Sequence, residues 1–375
     1  MRILVLCYEY PPLGGGGGRV AKSIAEQMAL RGHDVRVQTA ALGWRSTRER
    51  SGEVEIFRTA SGRRAPDTCA VHEMAAYVAT SFFPTIRHIR TWKADVIHAH
   101  FAVPTGLLAL AAHALTGTPY VLTAHLGDVP GGVPEQTEKL FRLINPIARQ
   151  IWKRAAAVTA VSTFVQELAE RAYLRRPLLV LNGIDLSDEL PPAHRTNHGR
   201  QLIFVGRFNL QKRPLFLLEA LAQVKSENWS LTMIGDGPLM EKVRNSIRDL
   251  RLEDRVTLTG WLDAADVQER MREADILCLP SSSEGLPVAA IEALKHGLAI
   301  VGSAIPGLAD VVEDDVNGVL VEMEDSAGYA AQIDRLLKNE TTLRAMQAAS
   351  ARKVRDFDLR RIASQYERVL STPFP

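Results

Sequence analysis

The stretch ILCLPSSSEGLPVAAIEALKHGLAIVG, residues 276–302, decides the fold. Its first four residues form an apolar run with the length of a buried strand. Pro287 then suits the first turn of a helix that continues through Ala289, Ala290, Ile291 and Leu294. A second apolar run, 299–302, follows at once. Strand, helix and strand in this order are a βαβ unit, and such a crossover joins parallel strands.

The same rhythm extends over most of the chain. In the first half, apolar runs that read as strands lie at 3–7, 35–39, 96–99, 120–123, 158–161 and 178–181. In the second half they lie at 202–205, 231–234, 256–259, 276–279, 299–302 and 318–321, with helical periodicity between them. PPAHRTNHGR, residues 191–200, has two prolines, a glycine and no periodicity, and reads as the linker. The expectation is an α/β protein with a first domain over 1–190, a second over 201–355, and a last segment, 356–375, whose helix carries Ile362, Tyr366 and Leu370 on one face. A length of 375 residues agrees with two domains, and 46% hydrophobic against 23% charged residues leaves ample material for two cores. The 45 basic and 43 acidic residues nearly cancel, so no global field recruits a nucleic acid. Three scattered cysteines exclude a disulfide framework or a structural zinc site, and Cys7 and Cys278 lie in strand-like runs. The opening MRILVLCYEYPP lacks the long apolar core of a signal peptide, and no run reaches the ~18 apolar residues of a membrane span, so a cytoplasmic location is expected.

Open parallel sheets bind ligands beyond the carboxyl ends of their strands, and two such domains most naturally do so in the cleft between them. Motifs just after strands therefore carry most weight. In 280–297 the helix start offers free amides to an anion, with Glu284 in the preceding loop and Glu292 one to two turns down the helix. Two carboxylates flanking a phosphate site suit hydroxyl groups on either side of it, as in a nucleotide sugar. The alternative is that Glu284 caps the helix and Glu292 is solvated. VGRFNLQKR, residues 205–213, turns at Gly206 and presents Arg207 and Lys212, which could grip a diphosphate and stabilise charge as it leaves; a solvated basic helix start is the plainer reading. MIGDGP at 233–238 ends a strand in a glycine turn that either admits a base or ribose or is simply a βα turn. GWL at 260–262, with Leu262, is placed to edge the base.

In the first half, YEYPPLGGGGGR precedes a helix expected to begin near Val20. Its five glycines offer bare amides to a phosphate or form a mobile loop. Arg19 stands where the third glycine of a dinucleotide fingerprint belongs, which disfavours a nicotinamide site. VIHAHF puts His98 and His100 on one side of a strand, but no third metal ligand is evident nearby. LTAHLGD sets His125 and Asp128 just past a strand, where the histidine could bond a reacting group or be a satisfied structural residue. KLFRLINPIARQIWKRAAA, residues 139–157, is either a half-buried helix with a basic face in water or a membrane-surface helix bringing the enzyme to a lipid acceptor on the inner face of the membrane.

Taken together, RGHDV, VIHAH, TAH, NGID (182–185), GRFNLQK, GDGP, EGLPVAAIEA and NGVLV resemble the retaining nucleotide-sugar glycosyltransferases of family four over nearly the whole chain. The resemblance implies the GT-B architecture, two facing Rossmann-like domains with a cleft between them, and a last helix that crosses back onto the first. It implies a hexosyltransferase that moves a sugar, from a UDP-sugar before a GDP-sugar, to a hydroxyl acceptor, with no metal and no cofactor. Arg207 and Lys212 would then bind the donor diphosphate, Glu284 a sugar hydroxyl and Glu292 the ribose. Gly285, Leu286, Pro287 and Val288 would supply backbone amides, Gly15 and Gly16 would lie against phosphate or sugar, and His125 would reach the sugar near the bond that breaks. The five-glycine loop and the single glycine of SAIPGL, residues 303–308, depart from the family pattern. Two other readings fit the same words, a GT-B sugar-nucleotide 2-epimerase and a non-catalytic sugar-nucleotide sensor.

Overall fold

The computed structural model describes residues 1–66, 68–187 and 200–372, with backbone alone for 134–143. The chain divides into two compact units, Met1–Gly183 with Leu359–Pro375, and Ile184–Asp358. The divide at 183/184 precedes the expected linker, of which 191–199 lie outside the described residues.

The first unit runs β1 (Arg2–Leu6), α1 (Gly16–Leu30), β2 (Asp34–Leu42), β3 (Thr47–Ser51), β4 (Val54–Arg63), α2 (Val71–Arg87), β5 (Val96–His100), α3 (Leu107–Thr116), β6 (Tyr120–Ala124), α4 (Pro134–Arg154), β7 (Ala157–Ala160), α5 (Thr163–Tyr173) and β8 (Leu178–Leu179). Its eight strands are ordered β3-β4-β2-β1-β5-β6-β7-β8, and all pairings are parallel except β3 with β4. β1 lies between β2 and β5, so the chain order reverses there. The loops after β1 and β5 open at that switch point, where an open sheet binds its ligand.

The β3–β4 hairpin is absent from the sequence reading, for a physical reason. β3 is TRERS, a polar and mostly exposed edge whose charges block pairing with a further strand. β4 buries Arg58 and Arg63 along with Val54 and Ile56, so no apolar run marks it. These two arginines organise the loop after β1. Arg58 donates to the carbonyls of Tyr10, at 3.2 Å, and Pro11, at 2.5 Å. Arg63, 1% exposed, donates to the carbonyls of Tyr8, Ala65, Pro66 and Thr68. Pro66 O in turn accepts from Gly14 N at 2.7 Å. The bonds to Tyr8 O and Tyr10 O are buried, so there the charged donors stand in for water.

The second unit runs β9 (Arg200–Val205), α6 (Pro214–Leu221), β10 (Trp229–Ile234), α7 (Met240–Asp249), β11 (Val256–Gly260), α8 (Ala264–Glu273), β12 (Ile276–Leu279), α9 (Val288–Lys295), β13 (Ala299–Ser303), β14 (Gly318–Val321), α10 (Ser326–Lys338) and α11 (Glu340–Lys353). Its six strands are all parallel, in the order β11-β10-β9-β12-β13-β14. The reversal falls between β9 and β12, so 206–213 and 280–287 are the two loops at the switch point.

The last helix, α12 (Leu359–Ser371), belongs to the first unit and packs on α1. Ile362, Ala363, Tyr366 and Leu370 are buried, and full burial of a side chain such as Ile362 or Leu370 contributes roughly 1.5 to 3 kcal/mol. Polar bonds fix the register: Arg31 donates to Glu367, at 2.8 Å, and to Ser364, at 2.9 Å, while His33 Nε2 lies 2.9 Å from Glu367.

Replacing Arg63 by methionine keeps the bulk of the side chain and strands its carbonyl partners. Arg63→Met should destabilise the chain by about 3 kcal/mol or more, as the loss of a buried charged hydrogen-bonding group does. Thermal unfolding of the variant against wild type measures this, and an unchanged transition would mean that Arg63 does not hold the loop.

Candidate functional site

In the second unit the two loops at the switch point are tied together. Ser282 N donates to Gln211 O at 2.8 Å, and Gln211 Nε2 donates to Ser283 O at 2.9 Å. The loop after β10 clamps the first of them: Phe208 N donates to Asp236 O and Leu239 N to Phe208 O. This closeness needs glycine. A Cβ on Gly235, at φ +136°, would lie 1.9 Å from Gly206 O, and one on Gly237, at φ +155°, 2.6 Å from Phe208 O. GDGP is therefore a structural clamp on the GRF turn, whatever else it touches.

Within this frame Lys212 Nζ lies 2.5 Å from Glu284 Oε1, which also accepts from Ser281 Oγ at 2.7 Å. Glu284 is 5% exposed. The two residues expected to take separate partners are thus an ion pair in this structure. Arg207 is half-buried in the same loop, and its guanidinium has no hydrogen-bond or ion-pair partner among the described residues. Glu292 is 9% exposed on α9.

The plainer alternatives both fail. Pro287 is the N-cap of α9 and no side chain caps it, so Glu284 is not a helix cap; Glu292 is buried, not solvated. The amide expectation needs correction too. Pro287 has no N–H, so of residues 285–288 only Gly285, Leu286 and Val288 can donate. Ala290 N and Ile291 N already donate to Pro287 O, and the amides of Val288 and Ala289 have no partner among the described residues. Leu262 is half-buried beside Trp261, which is 53% exposed, in the loop after β11.

Sequence reasoning passed over Ser281, Gln211 and Gly307. A Cβ on Gly307 would lie 1.8 Å from Glu284 O, so the one glycine of SAIPGL is the one that seats the Glu284 loop. Its departure from the usual pair leaves that contact intact.

In the first unit α1 begins at Gly16, not near Val20. Glycine is a poor helix former, but bulk is excluded here: a Cβ on Gly17 would lie 2.6 Å from the Phe101 ring, and one on Gly18 2.2 Å from Glu9 O. Gly15 is the N-cap and its amide donates to Glu9 Oε2 at 3.3 Å. The amides of Gly16, Gly17 and Gly18 have no partner among the described residues. They form the positive end of a 15-residue helix. His125 stands beside them, 7% exposed and stacked 4.4 Å from Phe101. Its Nδ1 lies 3.3 Å from the place a Gly17 Cβ would occupy.

Among the described residues the Asp128 carboxylate has no hydrogen bond to the His125 ring. Its two oxygens accept from His125 N, at 2.8 Å, and Ala102 N, at 2.6 Å, which anchors the loops after β6 and β5. His98 bonds Thr123 at 2.8 Å, and His100 Nδ1 lies 3.4 Å from His125 Nε2. Among the described residues no three His, Cys, Asp or Glu side chains form a metal-binding group. Along 139–157, Ile151 and Trp152 are core residues, with Trp152 stacked on Tyr173, while Arg149, Lys153 and Arg154 are exposed; the side chains of Lys139, Phe141 and Arg142 lie outside the described residues. Among the described residues no helix is long and apolar enough to cross a membrane.

The chain matches two family descriptions in succession, Glycosyltransferase Family 4 over residues 14–188 and Glycosyl transferases group 1 over 187–354. It is 26% identical to the N-acetyl-alpha-D-glucosaminyl L-malate synthase of Bacillus anthracis over 98% of this chain and 96% of that one. Among solved structures it resembles sucrose-phosphate synthase from Thermosynechococcus elongatus, with a TM-score of 0.83, 21% identity and 98% of each chain covered. It also resembles Anabaena Alr3699/HepE in complex with UDP-glucose, with a TM-score of 0.78, 20% identity and 100% of each chain covered.

Burial leaves an acid-sensitive signature in the first unit. It lowers His98 to about 3 and His125 to about 4, and it holds His100 well below its usual value. His88, buried beside Arg36, falls to about 4. Unfolding lets each take a proton below about pH 6.5, so stability is lost as pH falls from there, by about 1.4 kcal/mol per unit for each histidine. Asp128, raised by burial to about 7, has the opposite sign, since its folded form takes the proton first. Four histidines outweigh one aspartate. The melting temperature should therefore fall steadily between pH 6.5 and 4.5, and less steeply in His98→Gln; a flat profile would contradict the burial of neutral imidazoles.

Proposed function

Because the chain belongs to the group 1, family 4 glycosyltransferases, with the two parallel-sheet domains of the GT-B fold, we propose that it transfers a hexosyl residue from a nucleotide sugar to a hydroxyl acceptor with retention of anomeric configuration. The observation that carries the reading is the pairing of Lys212 with the buried Glu284, together with a half-buried Arg207 in the Lys212 loop whose guanidinium has no partner among the described residues. A partly desolvated guanidinium left open is costly unless an anion visits it. A diphosphate is the anion that fits two cations and the open amides of α9.

Arg207 and Lys212 hold the diphosphate and stabilise the charge it gains as the glycosidic bond breaks. Glu284, held by Ser281 at the switch point, takes a sugar hydroxyl, and Glu292, further along α9, takes the ribose. The acceptor oxygen forms the new bond, and its proton passes to the leaving phosphate. In the first unit His125, Gly15 and the open amide of Gly16 are assigned to sugar or phosphate. UDP is the first choice of nucleotide because a protein of the same fold holds UDP-glucose. No metal is assigned a part, since two cations and helix amides already neutralise the leaving group. The acceptor is a hydroxyl compound of glycan, glycolipid or glycoside biosynthesis.

Thermal stabilisation across a panel of nucleotide sugars identifies the donor, because a ligand that binds only the native state raises its stability. With that donor, Arg207→Ala should cut turnover by about 100-fold or more while the fold persists. Near-normal turnover would refute the diphosphate assignment, and loss of activity on chelation with EDTA would refute metal independence.

Calorimetric titration separates the glutamates. Glu292→Gln should weaken binding of both nucleotide sugar and free nucleoside diphosphate by roughly 1 to 3 kcal/mol. Glu284→Gln should impair transfer and leave the free diphosphate bound. The reverse pattern would exchange their roles.

A further inference from the structure

The two histidines of VIHAHF have no part in the reading above, yet both are buried and one touches His125. From the core outward, Thr159 Oγ1 lies 2.8 Å from Thr123 Oγ1, and Thr123 lies 2.8 Å from His98 Nε2. The His98 and His100 rings are 4.3 Å apart, and His100 Nδ1 lies 3.4 Å from His125 Nε2. α12 contributes Tyr366, buried with its ring 5.3 Å from His98.

A bond between two neutral imidazoles needs one N–H, and its owner fixes both tautomers. If His125 donated, His100 would carry its own proton on Nε2, which is buried and has no partner among the described residues. A buried, unpaired N–H is among the rarest and costliest states in a folded protein. If His100 Nδ1 donates instead, its Nε2 is only a bare lone pair, and His125 carries its proton on Nδ1. That nitrogen lies on the Gly17 side, next to the open amides of Gly16, Gly17 and Gly18.

We infer that His100 is a positioning residue that donates from Nδ1 to His125 Nε2 and thereby fixes His125 as an Nδ1–H donor, aimed with the first amides of α1 at an acceptor oxygen of the bound ligand. His125 is then a hydrogen-bond donor and not a base toward that ligand. Burial holds all three rings neutral near pH 7, so the arrangement does not depend on a charged imidazole. The inference rests on the proposed contact of His125 with the donor, and the experiment keeps the two separable.

The full chain labelled with 15N-histidine is examined without ligand by long-range 1H–15N correlation, with signals assigned from His100→Asn, His100→Leu and His125→Ala. Wild type should show a pyrrole-type Nδ1 and a pyridine-type Nε2 for His125. His100→Asn, whose amide nitrogen replaces Nδ1 as donor, should retain that pattern, and His100→Leu should lose it. A pyridine-type Nδ1 in wild type, or one pattern common to both His100 variants, overturns the inference. Titration with UDP-glucose supplies the second readout. His100→Leu should weaken binding roughly five- to tenfold, as one lost neutral hydrogen bond does, and His100→Asn much less. Equal weakening in the two would make His100 merely structural and overturn the inference. Unaltered UDP-glucose binding by His125→Ala overturns instead the reading that His125 meets the donor, whatever tautomer the spectra report.

Discussion

A carboxylate as deeply placed as Glu284 needs a compensating charge and donor, and here they are Lys212 at 2.5 Å and Ser281 at 2.7 Å. Breaking such a pair by removing one partner costs about 3 to 5 kcal/mol, because a buried charge is left alone. The same accounting governs a ligand. A diphosphate that draws Lys212 away leaves Glu284 uncompensated unless the ligand also brings a donor, and the hydroxyls of a sugar are such donors. A bare nucleoside diphosphate has none to offer at that point. On the proposed reading the ion pair therefore discriminates between donor and spent product, favouring the molecule that satisfies both partners at once.

The pair stands where it does because backbone holds it there. Gln211 and Ser282 join the two loops, Gly235 and Gly237 allow the loop after β10 to close on Phe208, and Gly307 lets the chain after β13 lie against Glu284. None of these contacts uses a flexible side chain except that of Gln211. A site built this way loses little entropy on binding, since its groups are already in position. The first unit reaches the same end differently. There the loop after β1 has too many buried carbonyls for its own amides, and Arg58 and Arg63 supply the donors from β4.

What could be read from the sequence follows this division. The parallel strands were legible because each is a short apolar run bounded by turns, and the candidates Arg207, Lys212 and Glu284 stood out because they follow such runs, with Glu292 on the helix after the last of them. β3 and β4 were not, since β3 is polar and mostly exposed and along β4 the buried Val54 and Ile56 give way to buried Arg58, Thr59, Ser61 and Arg63, leaving no apolar period to detect. The start of α1 was misplaced because helix propensity argues against GGGR, whereas the close approach of Phe101 and Glu9 demands it. The Lys212–Glu284 pair joins residues 72 apart; spacing reveals which side chains arrive at a sheet edge but not which of them meet there.

The two units also differ in the kind of group they offer. The second presents formal charge, Arg207 and Lys212 balanced against Glu284 and Glu292. Around His125 the first presents neutral dipoles, the open amides of Gly16 to Gly18 and an imidazole that burial keeps uncharged. Charge is useful where charge changes, and in glycosyl transfer it changes most on the departing diphosphate. Neutral donors suit oxygens whose charge varies less, and they do so without adding a cation that would hold the product as firmly as the substrate. On the proposed reading, charged groups suit a departing diphosphate and neutral donors suit hydroxyl oxygens.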